Sequence, residues 1–263
     1  MTGSLAGLTD VGGNREQNED GFLLLDVGTG DVLSSRTLAH PLRDSPLLLA
    51  VSDGMGGAFA GEVASALTLD AFQDHARKDG ADLRERQRAE VEAWLAEGVQ
   101  AADCRVKEAV ARDGSMRGMG ATLTAGAVLP DFLSLCHVGD SRAYRMRDGE
   151  VCQLTSDHTF VGQMVARGHL SPEEARVHAQ RHVLLQAVGA GKKLKVDTAS
   201  FPLRPKDRFL LCTDGLHDLV STEAMAEVLS VGDDPMKQCR KLVSTALSLG
   251  AHDNVTVVVL HVD

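Results

Sequence analysis

Residues 47–57 read LLLAVSDGMGG: five apolar side chains in a row, then a serine, an aspartate and a run rich in glycine. A short unbroken apolar run stopped by Asp-Gly reads as a strand that ends at a turn. The same cadence recurs. Asp20 opens GFLLLDV, Asp140 closes FLSLCHVG, Asp214 closes RFLLCT, and Asp253 opens NVTVVVLHV. In an antiparallel sheet the start of one strand lies beside the end of its neighbour, so carboxylates from distant parts of the chain can meet at one edge. Gathered carboxylates repel one another unless a cation holds them, and hard divalent cations take oxygen ligands. Five strand-end aspartates therefore read as a metal site.

Working outward, the first half gives strands over 21–27 and 47–52, with an unassigned loop between them. A helix is expected over 61–78, with Val63, Ala66, Leu67, Leu69 and Ala71 toward the core. A longer one is expected over 82–112, in which Val91, Trp94, Leu95, Val99, Ala102, Val106 and Val110 recur at helical spacing and Gly98 is a weak point. After a loop at 113–120 come strands 121–129 and 132–138, then a hairpin around Asp148-Gly149. Residues 156–191 differ, being rich in His, Arg and Gln. Within them Ser171-Pro172-Glu173-Glu174 is a capping box with proline at the first helical position. A strand at 208–212, a short helix from about 222, a helix between Asp234-Pro235 and Gly250, and a last strand at 254–262 complete the pattern. Strands arrive in groups and helices in pairs, without regular alternation. That predicts an α+β class of stacked antiparallel sheets with helices outside, not a doubly wound parallel sheet.

The chain has 263 residues, 43% of them hydrophobic and 24% charged, which is ordinary for a folded globular protein with a sizeable core. With seven prolines and no low-complexity linker, nothing divides it. A formal net charge of −10 disfavours nucleic acid or an anionic membrane as partner. The N-terminal stretch lacks the basic segment and apolar core of a signal peptide, and no apolar run could span a bilayer, so a cytoplasmic location is expected. The five cysteines are odd in number and form no CxxC pair, which argues against a disulfide framework and a zinc-thiolate site.

Six segments then carry a resemblance. TDVGGNREQNEDGF (9–22), VSDGMGGAFAGEVAS (51–65), GMGATLTA (118–125), HVGDSRAYRMRDG (137–149), LLCTDGLHDLV (210–220) and HDNVTVVVL (252–260) occur in the order of the motifs of the metal-dependent type-2C Ser/Thr protein phosphatases. The chain resembles the compact bacterial members over almost its whole length. The resemblance implies a four-layer α-β-β-α sandwich, two antiparallel sheets flanked by helix pairs, forming one catalytic domain over 1–263 with a helical flap at about 156–182. It implies two manganese or magnesium ions, with Asp53 bridging them and the Gly54 carbonyl on one. Asp214 and Asp253 would ligate the other, and Asp20 and Glu19 would complete the site, Glu19 through water. Asp140 and Asp218 match positions for a third, weaker ion. Arg15 matches the arginine that grips the substrate phosphate. The implied reaction is hydrolysis of phosphoserine and phosphothreonine on proteins by direct attack of a hydroxide bridging the ions. The implied partners are phosphorylated proteins and a cognate bacterial Ser/Thr kinase, with the chain acting as a monomer.

Physical chemistry fits the same reaction. Paired divalent ions acidify a shared water and neutralise charge at phosphorus, and an arginine fork matches phosphate oxygens. One departure bears on the proton donor. Many eukaryotic relatives have a histidine after the Asp-Gly, whereas this chain has Met55, which carries no proton; His217 and His252 are candidates only by proximity, and a loop role is the simpler expectation for both.

Two rival readings remain at this level. Cys136-His137-Val138-Gly139-Asp140-Ser141-Arg142 fits the C-x-x-G-x-x-R signature of thiolate phosphatases, but a cysteine inside an apolar strand is a poor nucleophile and Asp140 would oppose phosphate. A catalytically dead docking module would have lost one or more metal carboxylates, and none is missing.

Overall fold

The computed structural model describes residues 1–33, 35–56, 60–191 and 193–263. Two antiparallel sheets lie face to face. One runs in the order β3 (Arg36–Pro41), β1 (Thr2–Asp10), β12 (Val255–Val262), β11 (Arg208–Cys212), β8 (Arg142–Arg147), β9 (Glu150–Gln153). The other runs β10 (Asp197–Pro202), β7 (Phe132–Val138), β6 (Leu123–Val128), β4 (Leu47–Met55), β2 (Asp20–Asp26), with the short β5 (Gly120–Ala121) beside the end of β4. Helices α1 (Ala60–Asp79) and α2 (Arg88–Arg112) cover the second sheet, and α7 (Pro235–Ser248) with α6 (Thr222–Ser230) covers the first. This is the four-layer α-β-β-α sandwich.

The apolar runs are continuous because both faces of each central strand are covered. Along β4, Leu48 and Ala50 point into the core under α1 and α2, while Leu47, Leu49 and Val51 point between the sheets. Along β12, Val257 and Val259 face α7, and Val258, Leu260 and Val262 face the other sheet. The two-residue period puts alternate side chains into different cores.

Several expectations shift. β1 was not expected at all, because Thr2–Asp10 is poor in large apolar residues and contains two glycines. Its neighbours explain them: a Cβ on Gly7 would collide with the Phe22 ring of the facing sheet, and one on Gly3 would press on Leu42 and Leu47. β3 and β10 are partly exposed edge strands, and their mixed composition hid them. The helix expected from 82 begins at Arg88, after a separate 3-10 turn at Leu83–Glu85; Gln87 and Glu90 form the capping box that restarts it. Ala66, expected in the core, is exposed, while Ala64, Ser65 and Thr68 are buried, so the inward face of α1 is rotated. Gly98 is where the two helices approach: a Cβ there would press on Phe72 and His75 of α1. The strand expected over 121–129 is broken at Thr122, whose hydroxyl is drawn off toward β4 and Ser141. The Asp148-Gly149 turn has positive φ at both residues, 54° and 85°, the type I′ geometry that suits a two-residue hairpin.

Between β9 and β10 the chain makes an excursion that carries α3 (Phe160–Ala166) and α4 (Pro172–Arg176), the latter capped by Ser171 as expected. Its two ends are joined, since Phe160 donates its N–H to the Val183 carbonyl and Leu185 donates to the His158 carbonyl. Among the described residues no helix is long and apolar enough to cross a membrane.

Candidate metal centre

Pairing in the second sheet sets Asp20 directly opposite Asp53. Asp53 is held at both ends of its peptide: its N–H donates to Thr122 Oγ1 at 2.9 Å, and its carbonyl accepts from Thr122 N–H at 2.8 Å. Gly54 follows, its N–H donating to the Glu19 carbonyl at 3.1 Å. A Cβ on Gly54 would collide with the Gly61 carbonyl, and one on Gly61 with the Glu19 carboxylate. Glycine is required at both positions because three backbone segments converge there. Gly57, from the same glycine run, lies outside the described residues.

The other sheet brings in the rest. Thr213, fully buried at the end of β11, donates its hydroxyl to Asp20 Oδ2 at 2.7 Å and accepts from Thr256 N–H at 3.0 Å. Asp214 begins the one-turn helix α5 (Asp214–His217), and Asp253 precedes β12. Asp140 lies in the turn between β7 and β8, with a peptide at Gly139 whose φ of 110° and contact with the Thr122 side chain leave no room for a Cβ.

The electrostatics record the convergence. Asp53 is raised well above the usual carboxylate range, by desolvation first and then by Asp20, Asp214, Asp140 and Asp253. Desolvation pushes Asp20 up to about 7 against the hydroxyl bond from Thr213, and Asp140 is likewise pushed up to about 7 by desolvation and then by Asp214. Asp214 is raised too, and its Oδ1 is buried without a hydrogen-bond partner. Like charges shut away from water, with a carboxylate oxygen left unsatisfied, fit a hard cation better than they fit any arrangement of protons. The donor set is all oxygen apart from His182, which suits manganese or magnesium and excludes a thiolate-loving metal.

Arg15 sits at the rim, nearly half exposed, with Nη2 2.9 Å from Asp253 Oδ2 and Nη1 3.6 Å from Glu19 Oε2. Its loop is fastened by Asn254. That side chain accepts the Glu19 N–H at 2.8 Å and donates to the carbonyls of Val11 and Gln17, each at 2.9 Å. Asp218, at the far side, is exposed. Its Oδ2 lies 3.9 Å from His182 Nδ1, which is also 4.0 Å from Asp214 Oδ2. These three residues each offer a ligand atom, all within 4.8 Å of one another. The geometry thus joins Asp20, Asp53, Asp140, Asp214 and Asp253 in one electrostatic cluster, puts Arg15 and Glu19 on one flank, and puts Asp218 with His182 on the other.

Neither histidine named from the sequence is free. His217 is buried, not a partly exposed loop residue; its Nε2 donates to the Asp140 carbonyl at 3.0 Å, and Nδ1 lies 3.4 Å from Asp218 Oδ1. His252 is exposed and takes a hydrogen bond from the Asn14 amide at 2.7 Å through Nδ1. Met55 lines a separate pocket of about 370 Å³ with Leu184, Leu185 and Lys193. Cys136 is fully buried, with its thiol pushed up to about 12 by burial, and Arg142 is bound bidentately to Asp157 at 2.9 and 2.7 Å. A thiolate attack supported by Arg142 is therefore excluded. Asn254, Thr213, Thr122 and His182 were not picked out from sequence. The first two adjoin quoted aspartates, which was the available signal, and His182 lay unremarked in the His- and Arg-rich stretch.

Comparison with known proteins agrees with this arrangement. The family model described as Protein phosphatase 2C matches residues 31–248. The serine/threonine protein phosphatase PstP of Mycobacterium tuberculosis is 41% identical over 217 residues, covering 82% of this chain but 40% of its own length. The chain therefore spans about two-fifths of that relative. The serine/threonine phosphatase stp of Listeria monocytogenes is 31% identical over 97% of this chain and 94% of its own. The solved catalytic domain of PstP in complex with 2 manganese ions superposes with a TM-score of 0.80 at 34% identity, with all of both chains covered. This chain belongs to the protein phosphatase 2C family.

Proposed function

We propose that the protein hydrolyses phosphoserine and phosphothreonine on other proteins, using manganese or magnesium held by the strand-end carboxylates. The observation that carries this reading is the enclosure of Asp20, Asp53, Asp140 and Asp214 together, with carboxyls raised by desolvation and by one another. In this reading Asp53, shared between two ions, the Gly54 carbonyl, Asp214, Asp253, Asp20 and Glu19 would hold the ions. Asp140 and Asp218 would serve a third, and His182 stands beside Asp218. Divalent cations so held would supply positive charge to the phosphate oxygens and acidify a water at neutral pH.

The chain's own residues do the rest. Thr213 keeps Asp20 turned toward Asp53 by donating to one of its oxygens, and Thr122 fixes the Asp53 backbone. Asn254 sets the loop that presents Arg15 at the rim, where its planar fork can exchange Asp253 for the phosphate of a substrate. Met55 gives no proton, and His217 spends its Nε2 proton on the Asp140 carbonyl, so the leaving oxygen takes its proton from water in the site. Residues 1–263 act as one catalytic domain, 156–182 as its flap, and the chain works as a monomer that opposes a Ser/Thr kinase in the cytoplasm.

Purified protein with manganese should hydrolyse p-nitrophenyl phosphate and a phosphothreonine peptide, and Asp53→Ala and Asp214→Ala should each lose nearly all turnover while staying folded. Inactivity of the wild type on both substrates, or full turnover in either variant, would refute the reading.

A further inference from the structure

Beside the carboxylate cluster lies a cavity of about 870 Å³, between the 156–182 excursion and the stretch from α5 into α6. Pockets of about 300–1,000 Å³ enclose molecules much larger than phosphate, so this one has room for residues that flank a phosphoamino acid. Asp140, Asp214, Asp218 and Asp253 line its inner end, and Val161, Val165 and Leu219 contribute apolar wall. Two more lining residues, Arg176 of α4 and Arg181, are exposed. No side-chain hydrogen bond or ion pair holds either of them among the described residues; Arg176 acts on the fully exposed Glu223 only through its field. Arg142, the other arginine of the cavity, is occupied by Asp157. Arg181 lines the cavity and adjoins His182 in sequence, whose Nδ1 stands 4.0 Å from Asp214 Oδ2.

The charge balance gives these two arginines their weight. The chain carries −10 overall and repels acidic peptides in general. Within the cavity, Asp157 is neutralised by Arg142, and the remaining aspartates belong to the cation site. Arg176 and Arg181 are left as the positive charges of the wall that no ion pair holds among the described residues. An extended peptide advances about 3.3 Å per residue, so a side chain two or three residues from the phosphoamino acid comes within reach of an arginine anchored there.

We propose that this cavity receives the peptide segment next to the phosphoamino acid, and that Arg176 and Arg181 select segments bearing an acidic side chain two or three residues away. The inference rests on the hydrolase reading above and adds a substrate class to it. Two exposed charge pairs of ordinary strength should together favour an acidic over a basic segment by about fivefold.

The experiment measures kcat/KM with manganese for phosphothreonine peptides that differ only in Glu, Ala or Lys at the second and third positions on both sides. The acidic-to-basic ratio is taken on one preparation, so any unfolded fraction cancels. The wild type should give a ratio of about five or more that shrinks as salt rises, and Arg176→Glu/Arg181→Glu should bring it below one. A wild-type ratio within about twofold of one, or a preference unchanged in the double variant, overturns the inference while leaving the hydrolase reading intact. Failure to hydrolyse every substrate, p-nitrophenyl phosphate included, overturns both.

Discussion

Replacing Asn254 by alanine should unfasten the loop that carries Arg15 and Glu19. The Asn254 side chain is buried, with the residue 3% exposed, and it makes three hydrogen bonds to backbone groups of residues 11–19. Alanine removes all three bonds, and because Val11 and Gln17 are exposed and Glu19 is half-buried, each loss costs about 1 kcal/mol, the net worth of an ordinary hydrogen bond. A loss of about 3 kcal/mol is therefore expected. For a chain of this size that lowers Tm by about 6–12 °C. Asn254→Asp tests the reasoning further. It keeps an acceptor for the Glu19 N–H but turns a carboxylate oxygen toward two carbonyls, so it should be at least as damaging. Thermal unfolding by fluorescence, paired with steady-state kinetics on a phosphothreonine peptide, reads both consequences: a lower Tm and a higher KM as Arg15 loses its placement. A Tm within about 2 °C of wild type with KM unchanged would refute the assignment of Asn254 as the organiser of this edge.

Arg15→Ala should raise KM for phosphopeptide about tenfold with little change in kcat, as expected for loss of a charge-assisted contact of about 1.5 kcal/mol, and a change confined to kcat contradicts that role. Chelation with EDTA should abolish activity while Cys136→Ser keeps it within about twofold, since a thiol held near 12 supplies no thiolate; the reverse pattern would restore the cysteine reading. Burial drives His137 down to about 4, with its Nδ1 against Thr124 and its Nε2 against the Ser156 carbonyl. The folded state keeps this ring neutral while the unfolded chain protonates below about 6.5, so stability is lost as pH falls from 6.5 toward 4, by up to about 3 kcal/mol. His137→Asn should remove that part of the slope, measured as the difference in urea midpoints at pH 7 and pH 5, and an unaltered slope would show that His137 is not its source.

The parts of the molecule that could be read in advance are those where one residue type answers to one physical demand. Strand β4 was legible because both of its faces are buried, and the Asp148-Gly149 hairpin because only certain residues accept two positive φ values in succession. Strand β1 was illegible because its small residues answer to the Phe22 ring from the opposite sheet, a demand that no local pattern carries. The same holds for the site. Aspartates at strand ends announce themselves, and motif order assigned them expected roles. Thr213 and Asn254 act by bonding to residues 193 and more than 230 positions away, and a threonine or asparagine in a turn has many ordinary explanations. His217 was misplaced for a related reason: it is buried and bonded to the carbonyl of Asp140, 77 positions away.

The claim on which everything else depends is that Asp20, Asp53, Asp214 and Asp253 together hold divalent cations. An anomalous difference map from crystals soaked in manganese, collected near the manganese absorption edge, tests it directly. The account predicts two strong peaks at this edge of the sheets, with Asp53 touching both, Asp214 and Asp253 on one side and Asp20 on the other. No peak among these carboxylates, or strong peaks only elsewhere on the chain, would contradict it.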